Sequence, residues 1–206
     1  IEGYVITKPE YVKKYQPDAV VPMYFHAWVS KAPKGTRVFI QGQSPKDCKE
    51  IKGAGAIMAL DFSTHKGEQI VVKVGLSYTS IANARLNFEA EAAKTSFDKA
   101  RAAARKSWNE YMGRISVTDG STANLTKFYT GLYHALLGRG LASDINGAYP
   151  KNDGTVGQIA LDANGRPQHN HYNTDAIWGA YWNLTPLWAM AYPEYYADFI
   201  SSQLLV

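Results

Sequence analysis

The residues best suited to chemistry lie together between His169 and Tyr192, in the sequence HNHYNTDAIWGAYWNLTPLWAMAY. This stretch holds two His, one Asp, three Trp and three Tyr residues. A carboxylate beside flat aromatic rings can hold a sugar, because a ring stacks on the apolar C–H face of the sugar while the carboxylate accepts hydrogen bonds from its hydroxyls. The composition of the stretch therefore indicates a candidate sugar-binding site.

A helix that begins just before this cluster would bring several of these side chains together. Asn173 or Thr174 suits the N-cap, which places Asp175 in the first turn, where a negative charge is favourable. Asp175 and Trp178 are three residues apart and share a helical face, and Tyr181 extends that face by one turn. The spacing predicts that a carboxylate and stacking rings converge at the start of the helix.

The main alternative is that these aromatic side chains pack in the hydrophobic core. Trp188 and Tyr192 lie deeper in the predicted helix, and we expect them to be core residues. Both interpretations stay open for Asp175 and Trp178, since an acidic residue is rarely buried without a partner.

Two loop segments contain further polar residues. His169 and His171 are two residues apart, so on an extended strand they would point the same way and could bind a metal ion or a sugar hydroxyl. Without a third ligand in sight, polar loop histidines are the favoured interpretation. The sequence SDINGAYP, residues 143–150, combines Asp, Asn and Gly and predicts a turn, and it lacks the spaced acidic ligands of a helix-loop-helix calcium site.

The composition excludes several classes of protein. The chain has 206 residues, 46% of them hydrophobic, and a formal net charge of +4 without any basic stripe, so we do not expect nucleic-acid binding. The single cysteine, Cys48, rules out an intrachain disulfide. No run approaches about 18 apolar residues, so no membrane span is expected, and the N-terminus does not resemble a signal peptide. Because the chain opens in a strand-like pattern and stops in a helical one, we expect a fragment of a longer protein.

The hydrophobic periodicity changes once along the chain. An alternating pattern predicts strands in residues 20–30, 37–42, 55–62 and 68–78. From Ser80 onward the period is helical, with a helix-prone run over residues 82–93, a helix that Thr95 would cap and Gly113 would end, and a helix capped by Ser121 or Thr122. A long loop is expected over residues 143–172. Strands followed by helices predict an α+β fold, with part of an antiparallel β-sandwich packed beside a helical domain.

Four sequence blocks resemble a known enzyme family. They are VKVGLSYTSIANARLNFEAEAAKTSFDKARAAARKSWNEYMGRISV, KFYTGLYHALL, SDINGAYP and IWGAYWNLTPLWAMAYPEYYADFISSQL. Their order and spacing resemble the calcium-dependent α-mannosidases of glycoside hydrolase family 92. The resemblance implies the end of a β-sandwich domain (1–78), linker helices (79–120) and the first hairpins of an (α/α) barrel (121–206), from an exo-acting enzyme that removes terminal mannose with inversion.

The resemblance also bears on the site. Family members usually carry a WDTYR-like block where this chain reads Trp178-Gly179-Ala180-Tyr181-Trp182, and the Trp and the acid of that block help to hold the terminal mannose. Here Gly179 replaces the acid and Trp182 the basic residue, and Asp175 is the candidate that would supply the missing carboxylate.

The predicted substrate-binding residues are therefore Asp175, Trp178, His171, Asn173 and Tyr181. The catalytic acid, the catalytic base and the calcium ligands are expected beyond Val206, so this segment alone should be inactive and should hold no metal site.

The expected function is that of a fragment of an α-mannosidase-like hydrolase that trims terminal sugars from glycans. Its partners would be the glycan and the remainder of its own polypeptide, and the resemblance implies a secreted, periplasmic or cell-surface location in a bacterium. A non-catalytic carbohydrate-binding module is the first alternative. The second is a structural or interaction domain whose aromatic side chains are exposed by truncation.

Overall fold

The structure is a computed structural model, and it describes residues 1–10, 13–42, 44, 48–137, 140–174 and 177–205. The chain divides into two compact units, one formed by Ile1–His26 and Val74–Val206 and the other by Ala27–Lys73. None of the helices in the described segments combines the length and the hydrophobicity that crossing a lipid bilayer requires.

Strands occupy the N-terminal part of the chain, as the alternating hydrophobic pattern predicts. They are β1 (Glu2–Thr7), β2 (Val21–Val29), β3 (Gly35–Ile40), β4 (Ala56–Asp61) and β5 (Val72–Ser77). One sheet has the order β1-β2-β5 with β1 and β2 antiparallel, and β3 pairs with β4 in a separate antiparallel ladder. In that ladder the Arg37 guanidinium forms a two-pronged ion pair with the carboxylate of Asp61.

Helices dominate the rest of the chain. They are α1 (Ile81–Asn87), a π-helical turn (Phe88–Ala92), α2 (Phe97–Met112), α3 (Thr122–Leu137), α4 (Ile177–Tyr181), α5 (Leu184–Ala191) and α6 (Pro193–Leu204). The cap of α2 is Ser96, whose side chain accepts the Lys99 N–H, so the prediction of Thr95 was wrong by one residue. The predicted cap of α3 is confirmed, since the Ser121 hydroxyl accepts the Asn124 N–H at 3.4 Å.

The strand-then-helix order confirms the predicted α+β class, with one addition. Within the expected loop of residues 143–172, β6 (Ala148–Pro150) and β7 (Val156–Gln158) form a short antiparallel hairpin. The turn between them contains Asp153, whose carboxylate accepts the Thr155 N–H at 2.9 Å, and Gly154 at φ +82°. This Asp-Gly pair is a turn signal that an interpretation as irregular loop overlooks.

The aromatic stretch does not form the single helix that was predicted. A turn at Trp182 and Asn183 separates α4 from α5, and Tyr192 separates α5 from α6. Proline explains both breaks, because Pro186 has no N–H to donate to the Trp182 carbonyl one turn earlier, and Pro193 suits the first position of a new helix.

The hydrophobic core of the larger unit lies where α5 meets α6. Trp188, Tyr192 and Phe199 are almost completely buried, which confirms the prediction that Trp188 and Tyr192 are core residues. The Trp188 ring contacts the Phe199 ring edge-on at 5.3 Å between centroids. The Tyr192 hydroxyl donates to the Tyr111 carbonyl at 3.1 Å and so ties this core to the end of α2.

Strand β5 and helix α1 approach each other closely at Gly75. A Cβ atom at this position would lie 2.3 Å from the Ala84 carbonyl oxygen and 2.6 Å from the Phe88 Cβ. Only glycine allows backbone atoms to come this near, so Gly75 fixes the spacing between the strand and the helix that follows it.

Candidate functional site

The predicted site residues divide into exposed and buried groups. Trp178 and Tyr181 on α4 are 80% and 67% exposed. Asn173 is also exposed, and its backbone N–H donates to the Gly140 carbonyl at 2.9 Å. Asp175 lies outside the described residues, so its predicted place beside Trp178 stays a prediction. The structure thus brings two predicted stacking rings onto one short exposed helix.

His171 lies in a different environment, with only 5% of its surface exposed. Its imidazole packs against the ring of Tyr149 at 4.6 Å between centroids. Among the described residues its Nδ1 atom has no hydrogen-bond partner. Burial, and then the nearby charge of His169, lower the pKa of His171 below its ordinary value of 6.5. His171 is therefore a ring under the surface whose charged form is disfavoured.

Ser143 and helix α6 hold the backbone around His171. The Ser143 hydroxyl accepts the His171 N–H at 3.0 Å, and the Ser143 N–H donates to the His171 carbonyl at 3.2 Å. On the other side, the Ser202 hydroxyl accepts the Tyr172 N–H at 2.9 Å, and the Asp198 carboxylate accepts both the backbone and the side-chain amide of Asn170. The segment that leads into α4 is thus fixed by side chains from two parts of the fold.

Tyr149 reaches His171 because its cross-strand neighbour is a glycine. Tyr149 on β6 pairs with Gly157 on β7, and the ring is 4% exposed. A Cβ atom on Gly157 would lie 2.3 Å from the Tyr149 Cζ atom, so the ring lies directly on the glycine backbone. The imidazole and the Gly157 backbone therefore both confine this ring.

Asp144 is a buried polar residue that the sequence interpretation treated only as part of a turn. The turn itself is present, since the Gly147 N–H donates to the Asp144 carbonyl at 2.8 Å and Gly147 has φ +83°. The carboxylate is also 5% exposed and accepts hydrogen bonds from Ser77 Oγ at 3.0 Å, from Thr79 Oγ1 and from Asn87 Nδ2 at 2.7 Å.

A sequence signal for this arrangement exists. Asn83 and Asn87 are four residues apart on α1, so they share one helical face. This face is polar, whereas a helix face that packs against the fold is usually apolar. The Asn146 side-chain amide donates to Asn83 Oδ1 at 3.1 Å, and the Ile145 N–H donates to Asn87 Oδ1 at 2.9 Å. The polar face of α1 therefore receives the 143–147 turn.

An apolar groove lies beside α4 and α5 but does not involve Trp178 or Tyr181. It is lined by Ala135, Trp182, Asn183, Leu184, Pro186, Leu187 and Met190. A Cβ atom on Gly179, which follows Trp178 in sequence, would meet no other atom within 4 Å, so α4 is open at this position as well.

The structure places the two loop histidines in different surroundings. His169 Nδ1 lies 2.9 Å from the Asn170 carbonyl oxygen, while His171 is buried against Tyr149. Within the described part of the chain, no three His, Cys, Asp or Glu side chains come together in a way that would hold a metal ion.

Comparison with known proteins identifies the family. The family model described as "Glycosyl hydrolase family 92 catalytic domain" matches residues 83–206, which is more than half of the chain. The chain therefore belongs to this family. A comparison with curated protein sequences gives no match.

Solved structures of the same family share the fold. The α-mannosidase BT3965 from Bacteroides thetaiotaomicron is 25% identical with a TM-score of 0.75, covering 90% of this chain and 25% of its own. Its complex with mannoimidazole has a TM-score of 0.74, at 25% identity over 90% of this chain and 24% of that one. The inverting mannosidase BT2199 from Bacteroides thetaiotaomicron VPI-5482 is 23% identical with a TM-score of 0.73, over 88% and 24% of the two chains. The chain thus spans about a quarter of the length of these proteins.

Proposed function

We propose that the chain is part of an exo-acting, inverting α-mannosidase-like glycoside hydrolase that depends on calcium and trims terminal sugars from glycans. Membership of family 92 supports this proposal, as do the α-mannosidase and the inverting mannosidase among the similar structures. By the resemblance noted above, the enzyme acts outside the cytoplasm of a bacterium, in secreted, periplasmic or surface-bound form.

The contribution of these residues would be to bind the terminal sugar. The observation that carries this proposal is the 80% exposure of Trp178 on a helix whose flanking segments are anchored in the fold. A large exposed ring with few rotatable bonds offers a stacking face to the C–H side of a sugar at little cost in conformational entropy. Polar contacts around this ring would come from Tyr181, Asn173 and Asp175. His171, which is buried, would support these residues from beneath the surface.

Catalysis would come from elsewhere in the polypeptide. Inverting hydrolysis needs a carboxylic acid and a carboxylate base about 6.5 to 9.5 Å apart, with room for the attacking water. Among the described residues no three His, Cys, Asp or Glu side chains come together, which supports the proposal that the calcium ligands lie in other segments of the polypeptide. We therefore expect that the 206 residues alone do not hydrolyse aryl α-mannosides, with or without calcium.

Replacing Trp178 by Ala in the full-length protein tests the sugar site. Stacking acts on substrate and transition state alike, so KM for an aryl α-mannoside should rise at least as much as kcat falls. Trp28→Ala, at a tryptophan that is 44% exposed on β2, is the matched control and should leave both constants unchanged. Kinetics of Trp178→Ala equal to those of the wild type would contradict the assignment.

Asp175→Asn separates a binding role from a helix-capping role. A charged hydrogen bond to a sugar hydroxyl is worth roughly 1.5 to 3 kcal/mol, or about ten- to a hundredfold in kcat/KM. A capping role would instead cost about 1 kcal/mol of stability with little change in kinetics.

Sugar binding by the full-length protein without any turnover would support a carbohydrate-binding module instead of an enzyme.

A further inference from the structure

The turn at residues 143–147 is attached to the rest of the fold through one buried carboxylate. Asp144 comes from the loop after α3, whereas its partners Ser77, Thr79 and Asn87 come from the end of β5, from the bend that follows it and from α1. Ser77 and Thr79 are themselves 3% and 8% exposed. All three of these donors are neutral, so among the described residues the carboxylate is held by hydrogen bonds from uncharged groups.

Hydrogen bonds to a buried carboxylate are short and directional, and leaving such a group unpaired is costly. The donors are in turn held by others: Asn83 Nδ2 donates to Thr79 Oγ1 at 2.7 Å, and Asn87 Nδ2 also donates to the Leu76 carbonyl at 2.8 Å. A connected polar network of this kind permits one position of the turn and disfavours others.

The same turn forms the surroundings of His171. Ser143, next to Asp144 in sequence, holds the His171 backbone through its hydroxyl and its N–H. Tyr149 follows the turn and covers the imidazole, and the Asp144 N–H donates to the carbonyl of Ala148, the residue before that tyrosine, at 2.8 Å. Backbone and ring of His171 are thus both held by residues that Asp144 anchors.

We propose that Asp144 is a positioning residue that keeps His171 buried and so sets the segment leading to the exposed rings of Trp178 and Tyr181. Asp144 acts through Ser143 and Tyr149 and does not touch the sugar. The effect on sugar turnover rests on the proposed function, whereas the effect on the burial of His171 does not.

Chemical labelling of histidines in the full-length protein tests the burial directly. Diethyl pyrocarbonate modifies accessible imidazole rings, and peptide mass spectrometry locates each modified ring. In the wild type His171 should react far more slowly than His65, whose side chain is 80% exposed. In Asp144→Ala the labelling rate of His171 should rise towards that of His65.

Asp144→Asn should restore most of the protection. Its amide oxygen still accepts from Asn87, and its NH₂ group can donate to the Thr79 hydroxyl oxygen, where the Asn83 amide occupies one lone pair and leaves the other for a new donor. Asp162→Ala is the matched control: the Asp162 carboxylate accepts the N–H groups of Asn164 and Arg166 in a nearby exposed turn. This variant should label His171 as slowly as the wild type.

Kinetics on the same preparations test the consequence for the sugar site. Displacing a binding segment can cost up to roughly a hundredfold in rate, and we expect Asp144→Ala to lower kcat/KM for an aryl α-mannoside by about tenfold or more. Asp144→Asn should recover most of this loss, and Asp162→Ala should show none.

A second variant covers the case in which Asp144→Ala does not fold. Thr79→Val keeps the shape of the side chain and removes one donor to Asp144, so it should increase His171 labelling in the same direction by a smaller amount. Slow labelling of His171 in folded Asp144→Ala or Thr79→Val would overturn the proposal. It would also be overturned if His171 were labelled as fast in Asp162→Ala as in Asp144→Ala. If Trp178→Ala leaves the kinetics unchanged, the sugar site fails, while the labelling still decides the role of Asp144.

Discussion

The contact between Gly157 and Tyr149 allows a stability change to be derived from the structure. In Gly157→Ala the new methyl group would lie 2.3, 2.5 and 2.6 Å from the Cζ, Cε1 and Oη atoms of Tyr149. These distances are far below van der Waals contact, so the ring must move. The φ angle of Gly157 is not in the left-handed region, and the alanine backbone itself is therefore unstrained.

The direction in which the ring can move determines the cost. Tyr149 is 4% exposed, and the imidazole of His171 lies 4.6 Å away between ring centroids. Overpacking of a well-packed site typically costs about 1 to 3 kcal/mol. Loss of glycine flexibility in the unfolded chain offsets this by about 0.4 to 1 kcal/mol. We therefore expect Gly157→Ala to be destabilised by roughly 1 to 2 kcal/mol.

Thermal unfolding of the full-length protein, followed by calorimetry, would measure this change. Gly131→Ala is the matched control, because Gly131 lies in α3 and a Cβ atom there meets nothing within 4 Å. This control should raise Tm, since alanine favours a helix interior over glycine by up to about 1 kcal/mol. If Gly157→Ala proved as stable as the wild type, the placement of the Tyr149 ring on the glycine, and with it the confinement of His171, would be refuted.

Two further predictions follow from other parts of the larger unit. In Gly75→Ala the added methyl group meets the Ala84 carbonyl at 2.3 Å, and because backbone atoms cannot rotate away, we expect loss of soluble folded protein in expression trials; wild-type yield and Tm would contradict this. The second concerns pH, since burial lowers the pKa of His171 below 6.5. Below about pH 6.5 the unfolded chain binds a proton that the folded protein excludes, so stability falls as the pH falls towards the folded pKa. His171→Gln should flatten the dependence of Tm on pH in this window, and an unchanged slope would show that another group titrates.

Much of the architecture follows from local patterns in the sequence. Alternation over residues 20–30 and 68–78 predicts β2 and β5, and serine at a helix start followed by helical periodicity predicts α3 from Thr122. The core positions of Trp188 and Tyr192 follow from their place in an apolar helical stretch. These features depend on neighbours within one or two turns, so the chain itself carries the signal.

The site is only partly determined in this way. Clustering of Trp178 and Tyr181 near a helix start is visible in the sequence, and the structure places both on the exposed face of α4. The sequence places His171 beside them as a further binding residue, but the structure buries it. Nothing in residues 169–171 predicts this burial, because the covering ring comes from Tyr149 and Gly157 makes room for that ring.

The sequence by itself determined the change from strands to helices near Ser80, the caps of α2 and α3 to within one residue, and the blocks that relate the chain to its family. Only the tertiary structure revealed the network around Asp144. Its partners Ser77 and Thr79 lie 67 and 65 residues earlier in the chain. Periodicity and capping rules act over a few residues, whereas the position of a buried carboxylate depends on donors brought together by the packing of β5, α1 and the turn.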